Sequence, residues 1–202
     1  MDDQRVIRTF VAICLDAELR RAISAAAERV KKLVPNVKWV APDNLHVTLK
    51  FLGGITDKRV ASVKAALDEL ACEFEAFDMT VAGLGVFPNP RRPRVIWVGI
   101  ENGREQLVAL AKAIEDRLVR AGFEKEDKPF KSHITIGRVR EGKPVGDLTD
   151  AVEGAAANEI GLQRVDRIVV MESVLKPQGP EYTPLSVHRL STSGDCKWRR
   201  ER

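Results

Sequence analysis

Hydrophobic and polar positions along the chain follow two periods in alternation, one of about two residues and one of about 3.6. Residues 6–15, "VIRTFVAICL", are β-branched and aromatic and predict a buried strand. Asp16 stands next as an N-cap, and Leu19, Ile23, Ala26, Val30 and Leu33 recur three and four apart, which predicts an amphipathic helix ending before Pro35. "VKWV" predicts a short strand, "APDN" a turn, and "LHVTLKFL" a strand of alternating polarity. Asp57 is placed to cap a second helix with the apolar stripe Val60, Val63, Leu67, Leu70 and Phe74. Strands at about 78–87 and 94–101 follow, joined by "PNPRRP", whose prolines forbid a regular ladder. Leu107, Leu110, Ile114 and Leu118 mark a helix over about 103–121 that Gly122 ends. "SHITIGRV" predicts the next strand, 141–161 a Gly- and Ala-rich connection, 165–173 a strand, "KPQGPEYTP" a turn and 185–190 a last strand. Beyond these the period is lost, which predicts one domain over 1–190 and a flexible basic tail over 191–202.

The pattern repeats. Shifted by the 87 residues that separate His46 from His133, the chain lays "FVAI" from Phe10 onto "WVGI" from Trp97. The same shift matches Glu18 to Glu105, Ala22 to Ala109, Ala26 to Ala113 and Glu28 to Glu115. Each half reads strand, helix, then a strand carrying His-x-Thr, the mark of an internal duplication.

Side chains two apart on a strand share a face, so His46 lies with Thr48 and His133 with Thr135. Leu45, Val47, Leu49 and Phe51 take the opposite face in the first copy, Ile134 and Ile136 in the second; Lys50 extends the polar side. A one-residue slip would bury both polar groups, so the register is fixed. An imidazole titrates near neutrality, and of two rings one can accept a proton while the other donates. Two such rings brought together about a pseudo-twofold axis would flank a phosphorus, with two hydroxyls on its equatorial oxygens, an arrangement for in-line displacement at a phosphodiester. His188, in a late strand with no Thr two residues on, reads as a surface or satisfied structural histidine.

Composition narrows this little. At 202 residues, 44% hydrophobic and 31% charged, the chain is an ordinary globular protein. Its length buries roughly 70% of the unfolded surface without help from a disulfide or metal. Cys14, Cys72 and Cys196 have no Cys-x-x-Cys spacing and read as reduced, incidental thiols. The charged start and the lack of a long apolar run predict a cytoplasmic protein with no membrane partner. A formal charge of +4 and a pI near 9.0 suit a phosphate-bearing partner without identifying one. Two rival classes stand beside acid–base catalysis. One is a non-catalytic RNA- or nucleotide-binding module, which would need neither an acid nor a base. The other is a metal hydrolase, for which two histidines fall short of the usual three ligands.

Together with "RTFVAI", "VKWVAPDNLHVTLKFLG", "FPNPRRPRVIWVGI", "FKSHITIGRVR", "DRIVVMES" and "GPEYTPL", the paired motifs resemble the 2H phosphoesterase superfamily. Within it they resemble the RNA 2′,3′-cyclic phosphodiesterases, also called 2′-5′ RNA ligases, over about residues 5–190. The resemblance implies an α+β fold of two pseudo-symmetric lobes, each a small mainly antiparallel sheet with helices outside and the catalytic cleft between them. It implies a monomeric enzyme, free of metal and cofactor, acting on RNA with a 2′,3′-cyclic phosphate end or on a small cyclic nucleotide. His46 would be the proton donor and His133 the acceptor, with Thr48, Thr135 and Arg138 binding the substrate. Strict alternation sends Arg138 away from His133, so its role requires a bulge at Gly137. Ser132 stands where many relatives carry Pro. Further RNA contacts would come from Lys50 and from Arg91, Arg92 and Arg94 on the proline-rich loop, although the three arginines read equally well as solvated loop charges. Phe87 or Trp97 could stack on a base, although Trp97 reads better as core.

Overall fold

The computed structural model of the chain describes residues 5–32, 34–143, 145–155 and 158–192. In order these form β1 (Val6–Cys14), α1 (Ala17–Lys31), β2 (Val37–Trp39), a 3-10 turn (Pro42–Asn44), β3 (His46–Thr56), α2 (Asp57–Ala71), β4 (Phe77–Phe87) and β5 (Val95–Ile100). There follow α3 (Arg104–Arg120), β6 (His133–Val139), α4 (Thr149–Ala155), β7 (Glu159–Val165), β8 (Arg167–Lys176) and β9 (Gly179–Arg189).

Local chemistry accounts for most of these limits. Asp16 Oδ1 accepts the Leu19 N–H at 2.7 Å and opens α1, whose Leu19, Ile23 and Ala27 are buried. The N-cap of α2 is Thr56 rather than Asp57, and it makes no side-chain cap bond. Asp57 is instead the first helical residue, where its carboxylate faces the positive end of the helix dipole. Gly122 closes α3 at φ +81°, a conformation that side chains with a Cβ resist.

The strands run β7-β4-β5-β6-β3-β1-β8-β9, every pair antiparallel, with β2 on β6. A pseudo-twofold axis between β6 and β3 exchanges β5 with β1, β4 with β8 and β7 with β9. Neither lobe belongs to one half of the chain. The first lobe, β3-β1-β8-β9, borrows β8 and β9 from the second half and is backed by α2 and α3. The second, β6-β5-β4-β7, borrows β4 from the first half and is backed by α1 and α4. Val47 and Ile134, which pair where the lobes meet, are fully buried on the helix side. That leaves the opposite face as the concave one.

Three further expectations change. The stretch 141–161 holds α4 and the start of β7, whose small residues hid the helical period. "KPQGPEYTP" is mostly strand: β9 begins at Gly179, and Pro180 and Pro184 are tolerated because β9 is the outermost strand. Ser191, assigned to the tail, is buried, and its N–H and hydroxyl both donate to the Phe74 carbonyl, at 2.8 and 2.9 Å. Leu33 and residues 193–202, with Cys196 among them, lie outside the described residues.

Candidate active site

β3 and β6 touch through the pair Val47↔Ile134. By the same antiparallel count His46 faces Thr135 and Thr48 faces His133, so the two imidazoles take opposite corners of one four-residue patch. All four side chains point away from the core and are half-buried. Among the described residues neither threonine hydroxyl has a protein partner, and neither is buried.

Each ring is held in the same way. His46 Nδ1 lies 2.8 Å from the Asn44 carbonyl oxygen, and His133 Nδ1 lies 2.7 Å from that of Lys131. A carbonyl only accepts, so Nδ1 carries the proton in both rings and Nε2 is left for chemistry. The acceptor is two residues upstream in both copies. Aromatic side chains wall the rings. His46 packs on Phe10 (5.0 Å between centroids) and on the edge of Tyr182 (5.3 Å); His133 packs on Phe87 (5.3 Å) and Trp97 (6.2 Å). Phe10 and Trp97 are partners under the 87-residue shift.

This setting lowers both imidazoles below the ordinary value of 6.5. Burial is the main cause. The bond to the carbonyl opposes it, and the Arg138 charge lowers both rings further, joined by His133 at His46 and by Lys131 at His133. Both rings are therefore held toward the neutral form at neutral pH.

The influence of Arg138 on both histidines puts its charge over the cleft, and a bulge explains how. In the β5–β6 pair, Ile96 faces Gly137 and Trp97 faces Thr135, leaving Ile136 as the extra residue, one place before the expected Gly137. Gly137 then turns to the core, under Val37 and Trp39, and Arg138 turns out. β3 carries the matching bulge at Leu49, since Val11 faces Lys50 and Ala12 faces Thr48. That bulge overturns two expectations. Lys50 leaves the motif face and is 2% exposed, its Nζ donating to Glu115 Oε2 (2.6 Å) and the Glu124 carbonyl (2.9 Å). It is a structural cation rather than an RNA contact. Phe51, placed with the core from its parity, lies on the cleft side at 57% exposure, 6.2 Å from Phe10.

Arg91, Arg92 and Arg94 occupy the exposed loop between β4 and β5. Trp97 packs its indole across Gly85, where a Cβ would come within 2.2 Å of the ring. His188 is a buried structural residue, its Nδ1 2.7 Å from Asp68 and its Nε2 2.8 Å from the Ser186 hydroxyl. Among the described residues no group of three His, Cys, Asp or Glu side chains could hold a metal ion, and no helix is long and apolar enough to cross a membrane. Sequence reasoning missed Asn44, Lys131, Phe10 and Tyr182 as neighbours of the rings. Only Phe10 carried a signal, as the counterpart of Trp97 in the repeat; Tyr182 sat in a predicted turn.

A duplicated strand that presents His-x-Thr to its own copy across a pseudo-twofold axis defines a two-histidine phosphoesterase of the 2H superfamily. The family described as LigT-like phosphoesterase matches residues 13–97 and again 98–182, and the chain belongs to it. It is 34% identical over 184 residues to the RNA 2′,3′-cyclic phosphodiesterase of Methanothermobacter thermautotrophicus, covering 91% of this chain and 99% of that one. It is 35% identical over 181 residues to the enzyme of the same name from Archaeoglobus fulgidus, covering 90% and 99%. Among solved structures it resembles TT0787 of Thermus thermophilus, with a TM-score of 0.77 and 30% identity over 92% of this chain and 99% of that one. It also resembles E. coli LigT complexed with 3′-AMP, with a TM-score of 0.73 and 26% identity over 93% and 100%.

Proposed function

We propose that the chain hydrolyses the 2′,3′-cyclic phosphate at an RNA end to a 2′-phosphate, without a metal. The observation that carries this reading is the matched pair of rings on one shared face, each with Nδ1–H fixed to a carbonyl and Nε2 without a protein partner among the described residues. The phosphodiesterase relatives and the 3′-AMP complex of a structural neighbour support it.

Water bound on the His133 side attacks phosphorus while its proton passes to His133 Nε2. The bond from phosphorus to the 3′ oxygen breaks, and His46 Nε2 supplies the proton that oxygen takes. Exchange with solvent then resets both rings. The Thr48 and Thr135 hydroxyls and the Arg138 guanidinium hold the non-bridging oxygens and meet the charge that builds on them. His46 must arrive protonated although its surroundings favour the neutral ring. The phosphate anion provides the correction, since a negative charge close to an imidazole raises its pKa. Run in reverse, the same groups would join RNA ends through a 2′-5′ bond.

The test is incubation of the protein in chelator with an RNA ending in a 2′,3′-cyclic phosphate. A 2′-phosphate is expected, and His46→Asn and His133→Asn should each lower the rate about 10²- to 10⁴-fold with an unchanged circular dichroism spectrum. Loss of turnover in chelator, a 3′-phosphate product, or a single variant keeping more than about half the rate would overturn the reading.

A further inference from the structure

The twofold repeat makes the two sides of the cleft alike, yet a phosphodiester with RNA attached on one side needs them to differ. Their arginines set them apart. Under the 87-residue shift Arg138 corresponds to Phe51, and Val95 corresponds to Arg8. Each lobe thus keeps one arginine on its motif face: Arg138 directly beyond the motif on β6, and Arg8 on β1, opposite Gly54 and four residues before the Ala12 that faces Thr48. Among the described residues neither Arg8 nor Arg138 has an ion-pair partner.

Arg8 is exposed and lies on the face of β1 that carries Phe10, two residues further from the histidines. Its neighbour on β3 is Gly54, which offers no side chain to cover it, and a Cβ on the adjoining Gly53 would meet nothing within 4 Å. Tyr182, which packs on both Phe10 and His46, feels the Arg138 charge and, after it, that of Arg8, so the strip between Arg8 and the histidines is continuous through Phe10 and Tyr182. The exposed ring of Phe51 completes this strip beside Phe10.

The chemistry of the site says what should lie there. In an in-line displacement the leaving 3′ oxygen departs opposite the water, and that oxygen belongs to the ribose. With His46 as its proton donor, the sugar and all the RNA upstream of it lie over the first lobe, the face that carries Arg8 and Phe51. We propose that Arg8 binds the phosphodiester next to the reacting end, with Phe51 alongside as an apolar platform for a base, so that the site selects RNA ends over cyclic mononucleotides. This rests on the reading of the site given above. Unlike Arg138, Arg8 is not needed at the phosphorus under attack.

The experiment compares kcat/KM for a trinucleotide ending in a 2′,3′-cyclic phosphate with that for the cyclic mononucleotide. The wild type should favour the trinucleotide, and Arg8→Gln should cut that ratio about tenfold and reduce the salt slope for the trinucleotide by about one. Arg5→Gln, which removes a charge already engaged by Glu172, should leave the ratio at the wild-type value. Calorimetric binding of a 3′-phosphorylated trinucleotide and of 3′-AMP gives the same comparison without turnover, so it reads the subsite even if the assigned reaction is wrong. An unchanged ratio in Arg8→Gln, in both rate and binding, overturns the proposal. So does a loss seen in Lys131→Gln instead, since that would put the strand on the second lobe.

Discussion

Leu49 and Ile136, 87 residues apart in sequence, are the same residue of a duplicated β-bulge: each is the extra residue in its strand, three places after the histidine. The bulge inverts the alternation just beyond Thr48 and Thr135. The fourth residue after each histidine, Lys50 or Gly137, goes to the core, and the fifth, Phe51 or Arg138, reaches the cleft. Each motif strand thereby adds a side chain that a regular strand would bury.

Gly137 tests the bulge directly. A Cβ there would come within 2.7 Å of Val37 Cγ1 and 3.0 Å of the Trp39 ring, so Gly137→Ala must push β2 away from β6. Urea denaturation should show a loss of about 1–3 kcal/mol. Unaltered stability would mean that the close packing beneath the bulge is not a constraint.

Lys50 and Glu115 form a pair of unequal members. The Lys50 side chain is 1% exposed and that of Glu115 17%, and Glu115 also accepts the Glu126 N–H. Glu115→Gln strands a buried cation and should cost about 3 kcal/mol. Lys50→Met removes the buried charge itself and should cost less. The salt dependence of RNA binding by Lys50→Met should match the wild type, and a shallower slope would restore Lys50 as a phosphate contact.

Stability should depend on pH through the same rings that are assigned to catalysis. Because His46 and His133 titrate below 6.5 when folded, the unfolded chain binds more protons between the lowered values and 6.5. Their contribution is complete above about 6.5 and is lost as the pH falls through that window. Thermal midpoints measured from about pH 7.5 downward should decline less steeply in the His46→Asn/His133→Asn double variant. Parallel curves for the two proteins would rule out the lowered values.

Tyr182→Ala offers a local check on their cause. Removing the ring edge 5.3 Å from His46 lets water in, and since burial is the main reason for the low value, the imidazole should titrate closer to 6.5. His133, walled by Phe87 and Trp97, should change little. NMR titration of the ring protons would show both, and a fall at His46 would contradict the assignment to burial.

Most of the elements, the duplication and the four polar groups of the two motifs could be read from the chain alone. Periods of two and 3.6 are imposed by near neighbours, and His-x-Thr on a strand needs only parity to put both side chains on one face. The exchange of β4 and β8 between lobes, the bulges at Leu49 and Ile136, the burial of Lys50 and the arrival of Tyr182 beside His46 belong to the tertiary structure. A bulge arises from a mismatch between two paired strands, and the partner of β3 at that point is β1, some forty residues earlier in the chain. The pattern along a single strand holds no record of which distant segment it will pair with, or of where the two will fall out of step.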